Sequence, residues 1–258
     1  MYIRTVMSAA LAVTFLGIGH AAAQPGRTDS SVLRERARQP YRQGLEHMQG
    51  EAFAAAVKAF EAAVAIDATF DMAYYMMGRA HLAQKSYAAA VQALTKARSV
   101  YLAEAGREFV TKQDFQRHRR DRLASLQDTL QQLRAAVPQT FQILEQIRQL
   151  EERKRQVEDM DRSHDQTIST AVPAFVSLSL GSAYFRSGNM MEAEKAWRDA
   201  VAVDARAGEA HSNLAVVYME TGRLNEAERA LKAAEKAGFK VNPQLKDEIK
   251  NRKKAGTD

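Results

Sequence analysis

Six histidines, the run Arg117-His118-Arg119-Arg120-Asp121-Arg122 and the pair Glu151-Glu152 are the residues of this chain whose types could carry chemistry. Two histidines one helical turn apart with a glutamate between them would hold zinc and activate water. No two of His20, His47, His81, His118, His164 and His211 stand at such a spacing. The basic run contains a His-Arg step close to an aspartate, as kinase catalytic loops do, but no Gly-rich phosphate loop accompanies it. It reads as a solvated helix flank, with anionic lipid, polysaccharide or an acidic protein surface as other readings. Glu151-Glu152 reads as a charge run on a long, exposed helix. With no cysteine, thiolate metal sites and thiol chemistry are excluded. Neither a nucleophile elbow nor a paired-carboxylate arrangement can be found, so no catalytic residue, cofactor or metal is expected.

The N-terminus, MYIRTVMSAALAVTFLGIGHAAAQ, places Arg4 before an apolar run and ends it on Ala21-Ala22-Ala23. This is the pattern of a secretory signal peptide over residues 1–23, cleaved before Gln24. An uncleaved anchor is the alternative, but the run is shorter than the roughly 20 apolar residues a bilayer requires. The expectation is an exported protein, periplasmic in a Gram-negative host and otherwise secreted, with no membrane-spanning segment in its mature form. A formal charge of +6 is modest for 258 residues. It favours solubility or anionic envelope contacts, and no nucleic-acid partner is expected.

What, then, would position any functional side chain? Small residues recur at one interval. Gly44 to Gly78, Ala56 to Ala90, Ala63 to Ala97, Gly181 to Ala215, Ala193 to Ala227 and Ala200 to Ala234 are each 34 residues apart. That period marks a tandem repeat whose unit is a pair of helices. Close approach of two helices needs Gly or Ala on one and a large apolar side chain on the other, here Gly78 and Ala90 with Leu94 and Tyr75. Turns are expected at Lys85-Ser86, Gly188-Asn189 and Gly222-Arg223.

The fullest copy of the motif is Leu180-Gly181-x-x-Tyr184, then Ala193-x-x-x-Trp197 and Ala200. Weaker copies run Met77-Gly78-x-x-His81, Leu214-Ala215-x-x-Tyr218 and Gly44-x-x-His47. On these residues the chain resembles the tetratricopeptide repeat (TPR) family. The resemblance implies an all-α solenoid of antiparallel helix pairs, with four repeats at 37–70, 71–104, 174–207 and 208–241. Residues 24–36 would then be a flexible N-terminal segment and 242–258 a capping helix and tail, with Asn242 as N-cap and Pro243 in the first turn. Two departures stand out: Ala68 and Ala205 replace the family's usual proline, and Tyr101-Leu102 leaves the second repeat without a helix stop. His47 and His81 fall where Tyr184 and Tyr218 stand, so they read as substitutes for a packing aromatic.

Between the halves, residues 105–173 lose the repeat signal. Leu123, Leu126, Leu130, Leu133 and Val137 alternate steps of three and four, a heptad seam that resumes after Pro138 with Phe141, Leu144, Ile147 and Leu150. Hidden repeats are one reading of this length. They would put Lys112, Gln131, Gln146, Glu158 and Asp165 where Gly or Ala is needed, at the cost of burying polar ends. A single kinked helix or a partly disordered linker is another. The residues favour a coiled-coil-like hairpin projecting from the solenoid, its outgoing arm continuing the second repeat's last helix toward Ala136 and turning at Pro138, with Gly106 near its base. Such an arm could make a second contact or a homo-oligomer.

The resemblance also implies a concave groove lined by the first helix of each repeat. Its candidate partner-binding residues are Tyr41, Leu45 and Met48, then Tyr75, Arg79 and Leu82. They continue with Phe175, Leu178, Phe185 and Arg186 and end with Val216 and Met219. Some of these must pack between repeats instead. The lining is apolar with scattered arginines, which suits a protein or peptide partner that offers an apolar or amphipathic segment. The functional expectation is a non-catalytic scaffold or adaptor. A structural coiled-coil oligomer and a non-catalytic subunit of an envelope enzyme are the alternatives.

Overall fold

The computed structural model describes residues 30–104, 112–136, 141–159 and 172–255. The signal-peptide reading of 1–23, Gly106, Pro138 and His164 lie outside the described residues. Within them are helices α1 (Ser30–Gln49), α2 (Phe53–Ile66), α3 (Asp71–Ala83), α4 (Tyr87–Glu104), α5 (Lys112–Ala135) and α6 (Phe141–Asp159). They continue as α7 (Ala174–Arg186), α8 (Met190–Val203), α9 (Gly208–Glu220), α10 (Leu224–Lys236) and α11 (Pro243–Ala255). No helix among the described residues is long and apolar enough to cross a membrane.

The pairs α1–α2, α3–α4, α7–α8 and α9–α10 pack as the repeat demands, and α2 meets α3, α8 meets α9 and α10 meets α11. The spacing devices act as their chemistry requires. A Cβ added to Gly78 would lie 2.5 Å from Leu94 Cγ, and one on Gly181 would lie 2.5 Å from the Trp197 ring. Gly44 nests against Phe60 in the same way. In three repeats, then, the small residue meets the large one sixteen positions later.

Each first helix ends alike. The amides of Ala52, Ser86, Asn189 and Arg223 donate back to the carbonyls of His47, His81, Tyr184 and Tyr218 at 2.8 to 2.9 Å. This six-to-one bond belongs to a helix end whose next residue is left-handed. Gly188 and Gly222 adopt that conformation freely, whereas Glu51 (φ 54°) and Lys85 (φ 60°) hold it with a side chain. The second helices of repeats one and three stop at Asp67 and Asp204, whose carboxylates accept from the amides of Thr69 at 2.8 Å and Arg206 at 2.9 Å. An Asx turn thus replaces the missing proline. Tyr101 stands at that register in repeat two, and α4 runs past it to Glu104.

Two expectations need correction. Helix α1 begins at Ser30, so residues 30–36 are helical, and Arg34 is buried against Asp67. The expected flexible segment gives way to helix because its arginine has a buried partner. Nor does α5 continue α4 outward. Tyr101 near the end of α4 meets Met72 at the start of α3, while Arg122 meets Asp71 and the following residues of α5 run up along α1. Helices α4 and α5 therefore run in opposite directions. Helix α6 lies antiparallel to α5, as Arg119 reaches the Val157 and Glu158 carbonyls and Arg134 reaches Glu151.

Beneath them the stack is continuous. Helix α4 packs directly on α7, the rings of Tyr75 and Phe175 meet edge-on at 4.8 Å, and Arg98 pairs with Asp199 at 3.0 Å.

Candidate functional site

The groove forms because every first helix turns one stripe toward the same side. In α1, α3 and the start of α7 that stripe is covered by the chain itself. Tyr41 is fully buried among Phe60 and Phe70, its hydroxyl 2.5 Å from that of Thr129 on α5. Gln132 donates to the Leu45 carbonyl at 2.9 Å, and Asp128 receives both Arg38 at 3.0 Å and Arg42 at 3.1 Å. The seam leucines Leu126, Leu130 and Leu133, with Leu150 and Val157 of α6, belong to one core cluster with Tyr41, Tyr75 and Phe175. The seam faces inward, so the arm expected to project lies in the groove instead. Its leucines need a partner surface, and the groove supplies one. Helix α6 is tied to the far side by Arg148, 2.6 Å from Asp204.

One buried charge cluster fixes this docking. Asp71 opens α3 and is only 4 % exposed, with Arg122 at 2.8 Å and Arg34 at 3.8 Å. Burial pushes its carboxyl up, but Arg122, then Arg34 and the Met72 amide, outweigh that and hold it below the usual carboxylate range. Arg122 also lies over the Tyr101 ring at 5.3 Å. Arg153 of α6 is buried beside this group and donates to Gln156 at 3.1 Å, and its guanidinium is pushed down by burial and then by Arg122.

The twelve groove candidates therefore divide. Tyr41 and Leu45 lie under α5, Tyr75 and Phe175 join repeats two and three, and Met219 belongs to the second core cluster. Phe185 is half-buried against Trp197, with ring centres 5.7 Å apart. Met48 is half-buried against the first cluster, and Val216 is half-buried on α9. Arg79, Leu82, Leu178 and Arg186 come together, lining a cleft of about 410 Å³ between α3 and α7.

Sequence reasoning missed the cleft's other walls, Ala83, Lys85, Gln146, Ser179, Ser182 and Glu209. Ser182 was within reach of it, standing one turn from both Leu178 and Arg186 on the same stripe. Gln146 comes from α6 and carried no signal.

The histidines among the described residues do no shared work. His47 is exposed, contrary to its reading as a substitute for a packing aromatic. His81 is half-buried with Nδ1 unbonded, and burial lowers its pKa against the pull of Glu61. His118 faces Glu104 at 3.4 Å, and His211 faces the Ala205 carbonyl at 3.2 Å. No cluster of His, Asp or Glu able to hold a metal occurs among the described residues.

Paired helices nested on small residues, stacked into a rod with one grooved side, define an α-solenoid of the helix-pair repeat class. The tetratricopeptide repeat family model matches residues 41–107 and 178–239, together half of the chain, and the chain belongs to that family. Comparison with curated proteins gives no match.

Among solved structures, TTC0263, a thermophilic TPR protein of Thermus thermophilus, is 21% identical over 84% of this chain and 98% of its own, with a TM-score of 0.31. The TPR2AB domain of yeast Sti1, solved with pHSP90, is 16% identical over 87% and 99%, with a TM-score of 0.27. MamA is 13% identical over 76% and 94%, also with a TM-score of 0.27.

Proposed function

We propose that this chain is an exported, non-catalytic adaptor that holds a peptide segment of a partner protein in the cleft between α3 and α7. The observation that carries this is the cleft's make-up. Leu82 and Leu178 give it apolar walls, and Arg79, Lys85 and Arg186 set three cations against the single carboxylate of Glu209. A segment with an apolar side chain next to an acidic one fits both features. The cleft's volume, about 410 Å³, suits a few residues rather than a folded surface. The non-catalytic reading rests on the sequence, which offers no recognisable constellation for a reaction, and export rests on residues 1–23. The coiled-coil oligomer loses ground, because Leu126, Leu130 and Leu133 are buried within the chain.

A photo-crosslinking residue at Ser182, introduced in the native host, tests the cleft. It is expected to capture a partner that the Arg79→Glu, Arg186→Glu double variant no longer captures, while the same probe at exposed Lys58 captures nothing. Equal capture with and without the double substitution would refute the cleft. N-terminal sequencing of the protein from its host tests export, with Gln24 expected as the first residue.

A further inference from the structure

We infer that the face of α1 and α3 beneath α5 is a second, covered binding surface, made for an amphipathic helix and closed in this chain by α5 acting as an internal ligand. Three observations carry it.

The first is that the stack stands without the insert. Helix α4 packs on α7 directly, Tyr75 of α3 meets Phe175 of α7, and Arg98 of α4 pairs with Asp199 of α8, so repeats two and three join without needing α5 or α6. The second is the kind of contact. The solenoid's own pairs interlock through Gly44, Gly78 and Gly181, each seated under a large side chain. No glycine joins α5 to α1. It is held by leucines on one stripe and by directional polar bonds: Arg122 to Asp71, Asp128 to Arg38 and Arg42, Thr129 to Tyr41, and Gln132 to the Leu45 carbonyl. The third is what lies beneath. Tyr41 and Leu45 are at most 2 % exposed, and they fall on the first-helix stripe that lines the cleft further along the stack at Leu82 and Leu178.

The docked helix states what the surface reads. Leucines at i, i+4 and i+7 (Leu126, Leu130, Leu133) fill it, and an arginine four residues before the first of them meets Asp71. An acid two residues after that leucine meets Arg38 and Arg42. A partner helix of this chemistry can replace α5, because it returns the same burial and the same ion pairs. An unrelated apolar helix cannot, since it would leave buried Asp71 with the more distant Arg34 alone in place of Arg122. This surface is distinct from the cleft proposed above, and either can fail without the other.

The test uses the full chain and a fluorescein-labelled synthetic peptide of residues 112–136. The double variant Arg122→Glu, Asp128→Arg lies wholly on α5 and loosens it while leaving the receiving surface native. By fluorescence anisotropy the peptide is expected to bind this variant at least tenfold more tightly than wild type, and adding Asp71→Asn to the variant is expected to weaken that binding. Equal binding to wild type and double variant, with helix content unchanged by circular dichroism, overturns the inference. A measurement on wild type alone covers a variant that fails to fold. Amide exchange is expected to be faster in α5 and α6 than in α1 to α4. One common rate for all six helices makes α5 permanent core and also overturns the inference.

Discussion

A methyl group at Gly78 or at Gly181 would meet its neighbour at the same 2.5 Å, yet the two sites differ in what can give way. Leu94 is a flexible side chain with other rotamers. Trp197 is rigid, and its Nε1 donates to the Leu178 carbonyl at 3.1 Å, so moving the ring breaks a buried bond. Overpacking typically costs about 1–3 kcal/mol. Gly78→Ala should fall near the lower end and Gly181→Ala at or above the upper, as read by urea unfolding. Lys85 presents the opposite case. It holds φ 60° at the turn where Gly188 and Gly222 stand in later repeats. Lys85→Gly removes left-handed strain at some entropic cost, and a net gain of about 0.5–1 kcal/mol is expected. Both effects were legible in the sequence. The period records which side chains must be small, and a motif with two glycines at a turn shows what the other copies lack.

At the scale of elements, the contact that decides the architecture is Asp71 with Arg122. Asp71 has a folded-state pKa below its unfolded value, so its contribution to stability is present above the unfolded value of about 4 and is lost as pH falls through the folded one. Wild type should therefore lose the docking of α5 only in strongly acidic solution. Asp71→Asn should cost about 3–5 kcal/mol at neutral pH, since it leaves Arg122 buried without its anion, and should flatten the acid limb of the stability curve. Urea unfolding at pH values on either side of about 4 checks both statements. This contact also marks where the sequence stopped being readable. A leucine seam states that α5 must be covered, and a neighbouring arm, a second copy or a groove would all satisfy it. The partner that chooses among them lies 51 residues away and reads locally as an ordinary acid in a helix's first turn. The cleft was legible for the same reason the repeats were, through one stripe per first helix. Gln146 was not, because its place depends on where α6 comes to rest.

Across the whole molecule, each repeat touches mainly its neighbours, so stability is distributed along the stack and need not be lost all at once. The first core cluster spans repeats one and two, the insert and part of α7, while the second is built on Trp197, α9, α10 and Ile249 of α11. Ile249 is 2 % exposed and is the one buried residue of α11, so it anchors the last helix over Leu231. Ile249→Ala removes that anchor at a cost of about 2–5 kcal/mol where a buried isoleucine is truncated. In a nearest-neighbour stack this loss should stay local. Amides of α9, α10 and α11 are expected to exchange faster by the full amount, those around Trp197 by less, and those of α1 and α5 hardly at all. The Trp197 emission (the chain has no other tryptophan) should shift toward the red at lower urea than in wild type, while loss of overall helicity begins with the C-terminal third. An equal acceleration from α1 to α11 would show instead that the insert, by gripping α1, α3 and α6's neighbour α7 together, has welded the stack into a single cooperative unit.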